Sequence, residues 1–514
     1  MRIGIVHYHL RPGGVTSVIT DGVRGLLTHW EDVSIRLITG SREDTDRVLR
    51  SIGAASDSRV EVRVHPQVGY HDQDAPLPDA TRIEEIRRIL TTEAGECDLL
   101  WVHNYHLGKN PAFTEALLRT IDDLPSRRFL LHIHDFPESG RYQNLASLHL
   151  VTRSPLYPTG PNVRYALINR RDLRILREAG IPADRLFLLE NPYHPLPPPT
   201  LTDPRPVLLT RLAPHLSPAT PLHLSPIRTI RRKNVLEGAL LSRLLSPDAL
   251  YAVSLPGTSQ QETAYSELVE ACYREGLIRG LFPLGPLAEQ VGLPFPTTLH
   301  AADLLVSSSV QEGFGYLFIQ ALDVGKPLLA RRLDILEGFE EIFTDYPAFL
   351  YSDVRIPASL VDTHLIPIPE LAEAYRRKLR TITPLLPPSL GESLDAQLRE
   401  EFESSAIDFS YLPVPAQKAL LHLITETPHT LESIRTANAT LLEQAAETLT
   451  RPLPPDTRDR LARFSLEAHL VTLARILESY TLPATPDPPH PEGIPDQVLH
   501  AFARKEYLRL LYDF

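Results

Sequence analysis

Short apolar segments alternate with amphipathic ones over the first 190 residues, and this alternation limits the fold more than any other feature of the chain. Between the apolar runs, segments such as Val15–Leu27 and Ile83–Leu90 repeat apolar residues at helical spacing. The alternation predicts a parallel sheet covered by helices on both faces. Because such sheets bind ligands at the carboxyl ends of their strands, a cleft is expected at the loops after His7, His103 and His134. The predicted strands are Ile3–His7, Val33–Ile38, Val60–Val64, Leu99–His103, Phe129–His134, Arg164–Ile168 and Leu186–Leu189.

A proline-rich segment, residues 191–206, separates this region from a second one of the same kind. Its seven prolines disfavour helices and central strands, which predicts a stiff linker. The second region is predicted to begin with a strand at Pro206–Thr210 and to include the helix Val235–Leu245. After residue 368 the pattern is helical, with long helices expected at Leu431–Leu449 and Arg458–Tyr480. We therefore expect an α/β protein with Rossmann-like domains over residues 1–190 and 207–368, a helical region over 369–495 and a C-terminal helix over 496–514.

Composition narrows the classes of protein that fit this architecture. A chain of 514 residues exceeds what one hydrophobic core supports. The formal charge of −12 argues against a general nucleic-acid binder, which needs a surplus of Lys and Arg. No segment has the roughly 18–20 consecutive apolar residues of a membrane span. The N-terminus leads directly into a predicted strand, and Cys97 and Cys272 are too few for a disulfide scaffold, so a cytoplasmic protein is expected.

The segment 307–322 contains the clearest candidate binding motif. It follows an apolar run and opens a predicted helix over 316–324. Gly313 and Gly315 allow backbone N–H groups to approach a ligand, and the N-terminus of the helix favours a diphosphate. The Glu312 carboxylate can accept hydrogen bonds from sugar hydroxyls. The residues expected to bind the donor in this segment, besides Glu312, are Gly313, Phe314, Gly315, Tyr316, Leu317 and Gln320.

Two cations in the segment 226–234 complement this motif. Arg228 and Lys233 lie five residues apart in a predicted loop before a helix. Two fixed cations that reach toward one point suit a pyrophosphate leaving group. A solvated basic turn is the alternative interpretation, but the presence of both motifs in one predicted domain favours a binding role.

In these motifs the chain resembles the retaining glycosyltransferases of family 4, which have the two-domain architecture called GT-B. The resemblance extends over roughly residues 1–350. The family has a glycine-rich turn after the first strand, matched here by Gly13 and Gly14, which would bind the donor. Its Arg-x4-Lys pair, which binds the donor phosphates, is matched by Arg228 and Lys233. Its Glu-x7-Glu motif places the first Glu, which holds the donor sugar, at Glu312.

The chain departs from the family pattern at one position, and the resemblance also implies a mechanism. The second Glu of the motif, which binds the ribose, is Gln320 here, and an amide lacks the charge-assisted hydrogen bond of a carboxylate. His134 resembles the family's histidine near the donor sugar. The family implies transfer from a nucleotide-diphosphate sugar with retention of configuration, without a cofactor or a required metal. The leaving phosphate itself would deprotonate the acceptor, so no protein base is expected.

The acceptor is expected on the N-terminal domain, in a loop region rich in hydrogen-bonding groups. Asn104 and Lys109 follow the fourth predicted strand, and Arg11 and Arg141 follow two others. These three cations indicate an acceptor, either a small molecule or a glycan, that carries a carboxylate or a phosphate.

Several other interpretations remain open from the sequence. A sugar-nucleotide epimerase or a glycan phosphorylase has the same architecture, and a non-catalytic relative that binds a glycan or a partner enzyme would tolerate Gln320. The helical region is expected to form a cap on the second domain, with an oligomerisation or docking surface as the alternative. A zinc site is not predicted, because the spacings of its candidate ligands match no common zinc motif. Those candidate ligands are His103, His106, His132 and His134.

Overall fold

The computed structural model describes residues 1–54, 57–72, 75–199, 201–257, 260–480 and 493–510, without the side chains of residues 260 and 261. The chain divides into two compact units. The first unit comprises Met1–His194, Ile382–Pro387 and Ala462–Ala503, and the second comprises Pro195–Thr381, Pro388–Leu461 and Arg504–Phe514. Both units therefore contain parts of the predicted helical region 369–495, which differs from the expectation that this region caps the second domain alone.

The first unit is built on a seven-stranded parallel sheet. Its strands are β1 (Arg2–His7), β2 (Ser34–Thr39), β3 (Val60–Val64), β4 (Leu99–His103), β5 (Arg128–Ile133), β6 (Val163–Leu167) and β7 (Leu186–Leu188). Its first helices are α1 (Gly14–His29), α2 (Thr45–Ser51), α3 (Ala80–Glu96), α4 (Pro111–Asp123), α5 (Tyr142–Val151) and α6 (Arg170–Glu178). The strand order is β3-β2-β1-β4-β5-β6-β7, and every residue of β4 and β6 is buried, as expected for strands covered on both faces. All seven strands predicted for this region are confirmed.

The register of this sheet aligns histidines at the carboxyl ends of three neighbouring strands. In β1 and β4, Val6 pairs with Val102, so the next residues, His7 and His103, lie side by side. In β4 and β5, His103 pairs with His132. Because side chains alternate between the faces of a strand, these histidines project from the same face of the sheet.

The second unit contains a six-stranded parallel sheet preceded by α7 (Pro204–Leu212). Its strands are β8 (Leu222–Arg228), β9 (Leu250–Leu255), β10 (Gly280–Leu281), β11 (Leu304–Ser307), β12 (Leu328–Arg331) and β13 (Ala348–Tyr351). Its connecting helices are α8 (Val235–Leu245), α9 (Gln260–Arg274), α10 (Leu284–Gln290), α11 (Phe295–Ala301) and α12 (Tyr316–Val324). The order is β10-β9-β8-β11-β12-β13. Because β8 and β11 are parallel neighbours, the loops that follow them emerge at the same edge of the sheet.

The strand predicted at Pro206–Thr210 is wrong, because these residues lie within α7. Pro204 occupies the first turn, and the Asp203 side chain caps the helix by accepting from the Arg205 N–H at 3.3 Å. The sheet begins instead with β8, which Pro226 interrupts. Proline cannot donate to a strand ladder, and the register of β8 with β9 shifts at this point.

The remainder of the second unit packs short strands and helices together. β14 (Arg355–Pro357) and β15 (Ala406–Asp408) form an antiparallel pair. The helices are α13 (Ala358–His364), α14 (Ile368–Ile382), α15 (Pro388–Glu403), α16 (Val414–Glu426), α17 (Pro428–Ala437) and α18 (Ala439–Leu449). The single helix predicted at Leu431–Leu449 is thus two helices separated at Asn438. The Asn438 side chain exchanges hydrogen bonds with the backbone of Arg355, at 2.9 and 2.7 Å, which fixes the break.

The chain then returns to the first unit through α19 (Leu466–Ser479) and α20 (Ile494–Phe502). α19 packs against α1 so closely that a Cβ on Gly25 would lie 2.5 Å from the Leu470 side chain. The helix predicted over Arg458–Tyr480 is a 3-10 segment, Asp459–Phe464, followed by α19.

Most of the second proline-rich stretch, residues 482–495, lies outside the described residues. The helix predicted over 496–514 ends earlier, since α20 stops at Phe502 and a 3-10 turn at Lys505–Leu508 follows. Within the described parts of the chain, none of the helices combines the length and the apolar character needed to cross a bilayer.

Candidate functional site

The loops that follow β8 and β11 meet in a cluster of charged side chains. The Glu312 carboxylate forms an ion pair with the Lys233 ammonium, and its other oxygen accepts from Arg232 Nη1 at 3.0 Å. Arg232 also donates to the Gln311 carbonyl at 2.8 Å, and its own carbonyl accepts from the Val310 N–H at 2.9 Å. The structure therefore joins two predicted site residues and adds Arg232, which the sequence analysis missed. The signal was the run of three basic residues at 231–233.

Burial and the neighbouring charges together determine the ionisation states of Glu312 and Lys233. Burial alone would raise the pKa of Glu312, but the charges of Lys233 and Arg232 lower that pKa to about 2. Glu312 is therefore an ionised hydrogen-bond acceptor at neutral pH. Burial lowers the pKa of Lys233, and the Glu312 charge opposes this effect.

Arg228 lies at the same edge of the sheet as this cluster. It is the last residue of β8 rather than a loop residue, and its side chain is 42% exposed with Nη1 3.7 Å from a Glu262 carboxylate oxygen. Its positive charge contributes to lowering the pKa of Lys233, so the two predicted phosphate-binding cations are neighbours.

The glycine-rich turn places the start of α12 beside the charged cluster. Gly315 caps α12 in a left-handed conformation with φ 88°, and a Cβ there would lie 2.7 Å from a neighbouring phenylalanine ring. Both the backbone and the space therefore require glycine. The side chains of Phe314 and Leu317 are buried, which leaves mainly their backbone groups for a ligand. The other predicted donor-binding residues of this segment, Gly313, Tyr316 and Gln320, are half-buried.

A buried ionic network supports the loop that carries Lys233. Asn234, in a left-handed conformation with φ 50°, donates from its side chain to Glu237 at 2.7 Å. Glu237 accepts in turn from the fully buried Arg331 at 2.7 Å, and Arg331 donates to Asp408 at 2.9 Å. Every charge in this network has a partner, which is the condition under which buried charges are tolerated. Glu237, Arg331 and Asp408 are far apart in the sequence, so no local pattern revealed their pairing.

In the first unit, the glycine-rich turn lies between β1 and α1. Gly13 caps α1 and Gly14 is its first residue. A Cβ at Gly14 would meet no atom within 4 Å, so packing does not require a glycine at this position. A cavity of about 340 Å³ opens beside the turn. The cavity is lined by Pro12, Gly13, Thr16, Ser17, Thr20, Asp21, Arg24, Arg47, Ser51 and His194.

The three predicted acceptor cations all interact with Tyr70, which is 45% exposed. The Lys109 ammonium lies 5.7 Å from the centre of the Tyr70 ring. Partial burial raises the pKa of Tyr70, and the charges of Arg11 and Arg141 oppose this effect. Arg141 forms an ion pair with Asp135. Burial and the charge of Arg141 both lower the pKa of Lys109. We call Arg11, Lys109, Arg141 and Tyr70 the cationic cluster.

Asn104, the fourth predicted acceptor residue, contacts His134. It has a positive φ of 52°, and its side-chain oxygen accepts from the His134 backbone N–H at 2.8 Å. The Asn104 carbonyl accepts from the Tyr8 hydroxyl at 3.0 Å. His134 is buried, which lowers its pKa to about 3 and keeps its ring neutral. The structure therefore shows Asn104 as a support for the backbone of His134.

Three of the histidines considered for a zinc site lie together in the first unit. His103, His132 and His134 each place a ring nitrogen within 4.8 Å of the other two. Among the described residues, His106 is not part of this group; it contacts the rings of Phe136 and Tyr157 instead. Histidine is a common metal ligand, so the group has the composition of a metal site. Hydrogen bonds nevertheless engage one ring nitrogen of each of the three histidines.

No protein-family model matches the chain. The chain is 30% identical, over 532 residues, to the mannosylglucosyl-3-phosphoglycerate synthase of Petrotoga mobilis, and the match covers 99% of each protein. The chain belongs to the mannosylglucosyl-3-phosphoglycerate synthase family. It is therefore a glycosyltransferase, which confirms the class of enzyme predicted from the motifs.

Two solved structures resemble the whole chain more distantly. Anabaena HepE in complex with UDP has a TM-score of 0.48 at 13% identity, with 93% of this chain and 100% of that one covered. Sucrose-phosphate synthase from Thermosynechococcus elongatus has a TM-score of 0.48 at 12% identity, with 93% and 99% covered.

Proposed function

We propose that this glycosyltransferase transfers a sugar from a nucleotide-diphosphate donor, with retention of configuration, to an acceptor that contains phosphoglycerate. The observation that carries the donor half is the cluster of Glu312, Lys233 and Arg232 beside the start of α12. The acceptor half is supported by the family relative, whose name gives mannosylglucosyl-3-phosphoglycerate as its product.

The donor half of the proposal assigns a role to each charged group. The backbone N–H groups at the start of α12 would bind the diphosphate, with Arg228, Arg232 and Lys233 balancing its charge. Since Lys233 pairs with Glu312 in the free protein, a bound diphosphate would compete with the carboxylate for the ammonium. Glu312, released in part, would accept hydrogen bonds from donor-sugar hydroxyls. These cations can stabilise the leaving diphosphate without a metal ion.

Three further expectations belong to this donor half. Gln320 would hydrogen-bond the ribose, the turn at Gly13 and Gly14 would approach the donor through its backbone, and His134 would contact a substrate hydroxyl. No protein base is assigned, because the departing phosphate oxygen can accept the proton of the acceptor hydroxyl.

The acceptor half of the proposal rests on the cationic cluster. Phosphoglycerate carries a phosphate and a carboxylate, and Arg11, Lys109 and Arg141 supply three positive charges around one half-exposed ring. Arginine is suited to bidentate recognition of both groups, and lysine binds phosphate as a point charge. Since Arg141 already pairs with Asp135, a bound anion would share that guanidinium.

The test is transfer by the purified chain from UDP-, GDP- and ADP-sugars to three acceptors: 3-phosphoglycerate, its glucosyl derivative and free glucose. Products are identified by mass spectrometry, and the anomeric configuration by NMR. We expect a product with a phosphoglycerate acceptor and an anomer that matches the donor. An absence of product with every donor contradicts the donor half. Equal rates with free glucose contradict the acceptor half, and an inverted anomer contradicts retention.

A pair of lysine variants sharpens the acceptor test. Lys109→Met should raise the KM for the phosphoglycerate acceptor about 10- to 100-fold, the value of a hydrogen bond to a charged group, and leave the KM for the donor unchanged. Lys326→Met is the matched control. Lys326 is also half-buried, but it lies in the second unit and precedes β12, at the amino ends of the strands rather than at the carboxyl ends, where the candidate sites lie. An equal effect of the two substitutions would show that Lys109 has no specific role.

A further inference from the structure

Two rings at the carboxyl ends of β4 and β5 are joined by a direct hydrogen bond. His103 Nδ1 lies 2.9 Å from His134 Nε2, and the two ring planes differ by only 21° with their centres 5.2 Å apart. This is the geometry of two nearly coplanar imidazoles that are joined edge to edge by one N–H···N hydrogen bond. Both rings are buried, so water does not compete for that bond.

The surroundings of His103 decide which ring donates. A neutral imidazole has one N–H donor and one acceptor nitrogen. His103 Nε2 is buried and has no hydrogen-bond partner among the described residues. If the proton of His103 were on Nε2, a buried N–H would lack an acceptor, and buried N–H groups without partners are rarer than buried acceptors without partners. The favoured arrangement therefore has the proton on Nδ1 of His103, which donates to Nε2 of His134.

We propose that His103 is a positioning residue that fixes His134 in one tautomer, with its proton on Nδ1. Since His134 Nε2 accepts from His103, the Nδ1–H group of His134 becomes the donor that its ring offers to a substrate hydroxyl. Asn104 completes the arrangement, because its side-chain oxygen holds the backbone N–H of His134 at 2.8 Å. His103 thus fixes the tautomer of the His134 ring, and Asn104 fixes the position of the His134 backbone. The role in catalysis rests on the proposed function, whereas the tautomer does not.

The hydrogen bonds also favour this arrangement over a metal site formed by His103, His132 and His134. The Trp101 indole N–H donates to His132 Nδ1 at 3.2 Å. Since an indole nitrogen can only donate, a neutral His132 must carry its proton on Nε2, even though that buried nitrogen has no partner among the described residues. A metal needs a lone pair on each ligand nitrogen. His132 has its lone pair engaged by Trp101, and the facing nitrogens of His103 and His134 are engaged with each other.

The first measurement is the tautomer of His134 in the full-length chain. Long-range proton–nitrogen NMR of histidine-labelled protein distinguishes the two tautomers, and His134→Gln identifies the signals by their loss. We expect the proton on Nδ1 in the wild type and a shift toward the Nε2 form in His103→Ala. A wild-type proton on Nε2 of His134 overturns the proposal. So does a stoichiometric zinc content of the purified chain whose removal changes these signals.

The second measurement separates positioning from packing. His103→Asn keeps a donor close to the position of Nδ1, whereas His103→Ala removes it. We expect His103→Ala to lower kcat about 10- to 100-fold, as is typical when a residue that orients a functional group is lost, with the affinity for nucleoside diphosphate unchanged. His103→Asn should restore most of kcat.

His106→Ala is the matched control, because His106 is equally buried and neither of its ring nitrogens has a hydrogen-bond partner among the described residues. It should leave the tautomer of His134 unchanged. Equal losses in His103→Asn and His103→Ala, with native circular dichroism, overturn the proposal. A wild type that transfers no sugar contradicts the proposed function instead, and the NMR measurement still decides the tautomer.

Discussion

Lys233→Met tests the charged cluster of the second unit most directly. Methionine keeps the apolar stem of lysine but removes the ammonium that pairs with Glu312. The two side chains are 15% and 11% exposed, so solvent screens their interaction only weakly. After the substitution, Arg232 still forms an ion pair with Glu312. The change should therefore weaken the stabilisation of the ionised carboxylate without abolishing it.

The size of the effect follows from the pKa of Glu312. That pKa is about 2, against an ordinary value of 4.5. A difference of roughly 2.5 units corresponds to about 3 kcal/mol in favour of the ionised form in the folded state. Lys233 makes the largest favourable contribution, ahead of Arg232. Because burial lowers the pKa of Lys233 and so disfavours its charged form, part of this stabilisation is offset, and we expect Lys233→Met to lower the free energy of unfolding by about 1–2 kcal/mol at pH 7.

The pH dependence has a definite sign. Because the pKa of Glu312 is lower in the folded than in the unfolded chain, its stabilisation is present above about pH 4.5 and is lost as the pH falls toward 2. The difference in unfolding free energy between wild type and Lys233→Met should therefore be constant from pH 7 to about pH 5. It should decrease progressively below that pH, as Glu312 becomes protonated in both chains.

Unfolding in urea at several pH values, followed by circular dichroism, provides the measurement. Tryptophan fluorescence is unsuitable, because Trp30 and Trp101, the two tryptophans of the chain, both lie in the first unit. Hydrogen exchange of peptides from β11 and α12 assigns the transition of the second unit. The control is the same substitution in a Glu312→Gln background, where the pH dependence should disappear. A difference that stays constant between pH 7 and pH 3 would refute the reasoning.

Three further predictions concern the donor. Glu312→Gln should reduce sugar transfer severely without weakening the binding of the bare nucleoside diphosphate, because the carboxylate is assigned to the sugar and competes with the diphosphate for Lys233; calorimetric titration with both ligands checks this, and equal losses contradict it. Arg228→Ala should lower transfer roughly 30- to 1000-fold, the range for a lost charged hydrogen bond in the transition state, with a native thermal transition; wild-type turnover excludes a phosphate role. Gln320→Glu should tighten nucleotide binding by up to about 1–2 kcal/mol, because a carboxylate accepts stronger hydrogen bonds than an amide. An unchanged affinity would show that Gln320 does not bind the ribose.

The local pattern of the sequence was sufficient for the strands of the first sheet. Each is an apolar run bounded by polar segments, and a strand buried on both faces must have that pattern wherever it lies in the chain. The same reasoning located the Glu312 loop, because β11, the glycine turn and α12 are consecutive and each has a local signature. The prediction failed where prolines altered the pattern. The segment Pro206–Thr210 lies in α7 and not in a strand, and Pro226 interrupts the apolar run of β8, so that strand was not predicted.

What the sequence by itself determined is therefore the alternation of elements and the chemical character of individual loops. Only the tertiary structure decided which loops meet, because strand order and register depend on packing between segments distant in the chain. Arg232 reaches Glu312 because β8 and β11 are neighbours, and His103 reaches His134 because β4 and β5 are. The buried pairing of Glu237, Arg331 and Asp408 has the same origin, since each of these charges is tolerated only when the fold brings the other two to it.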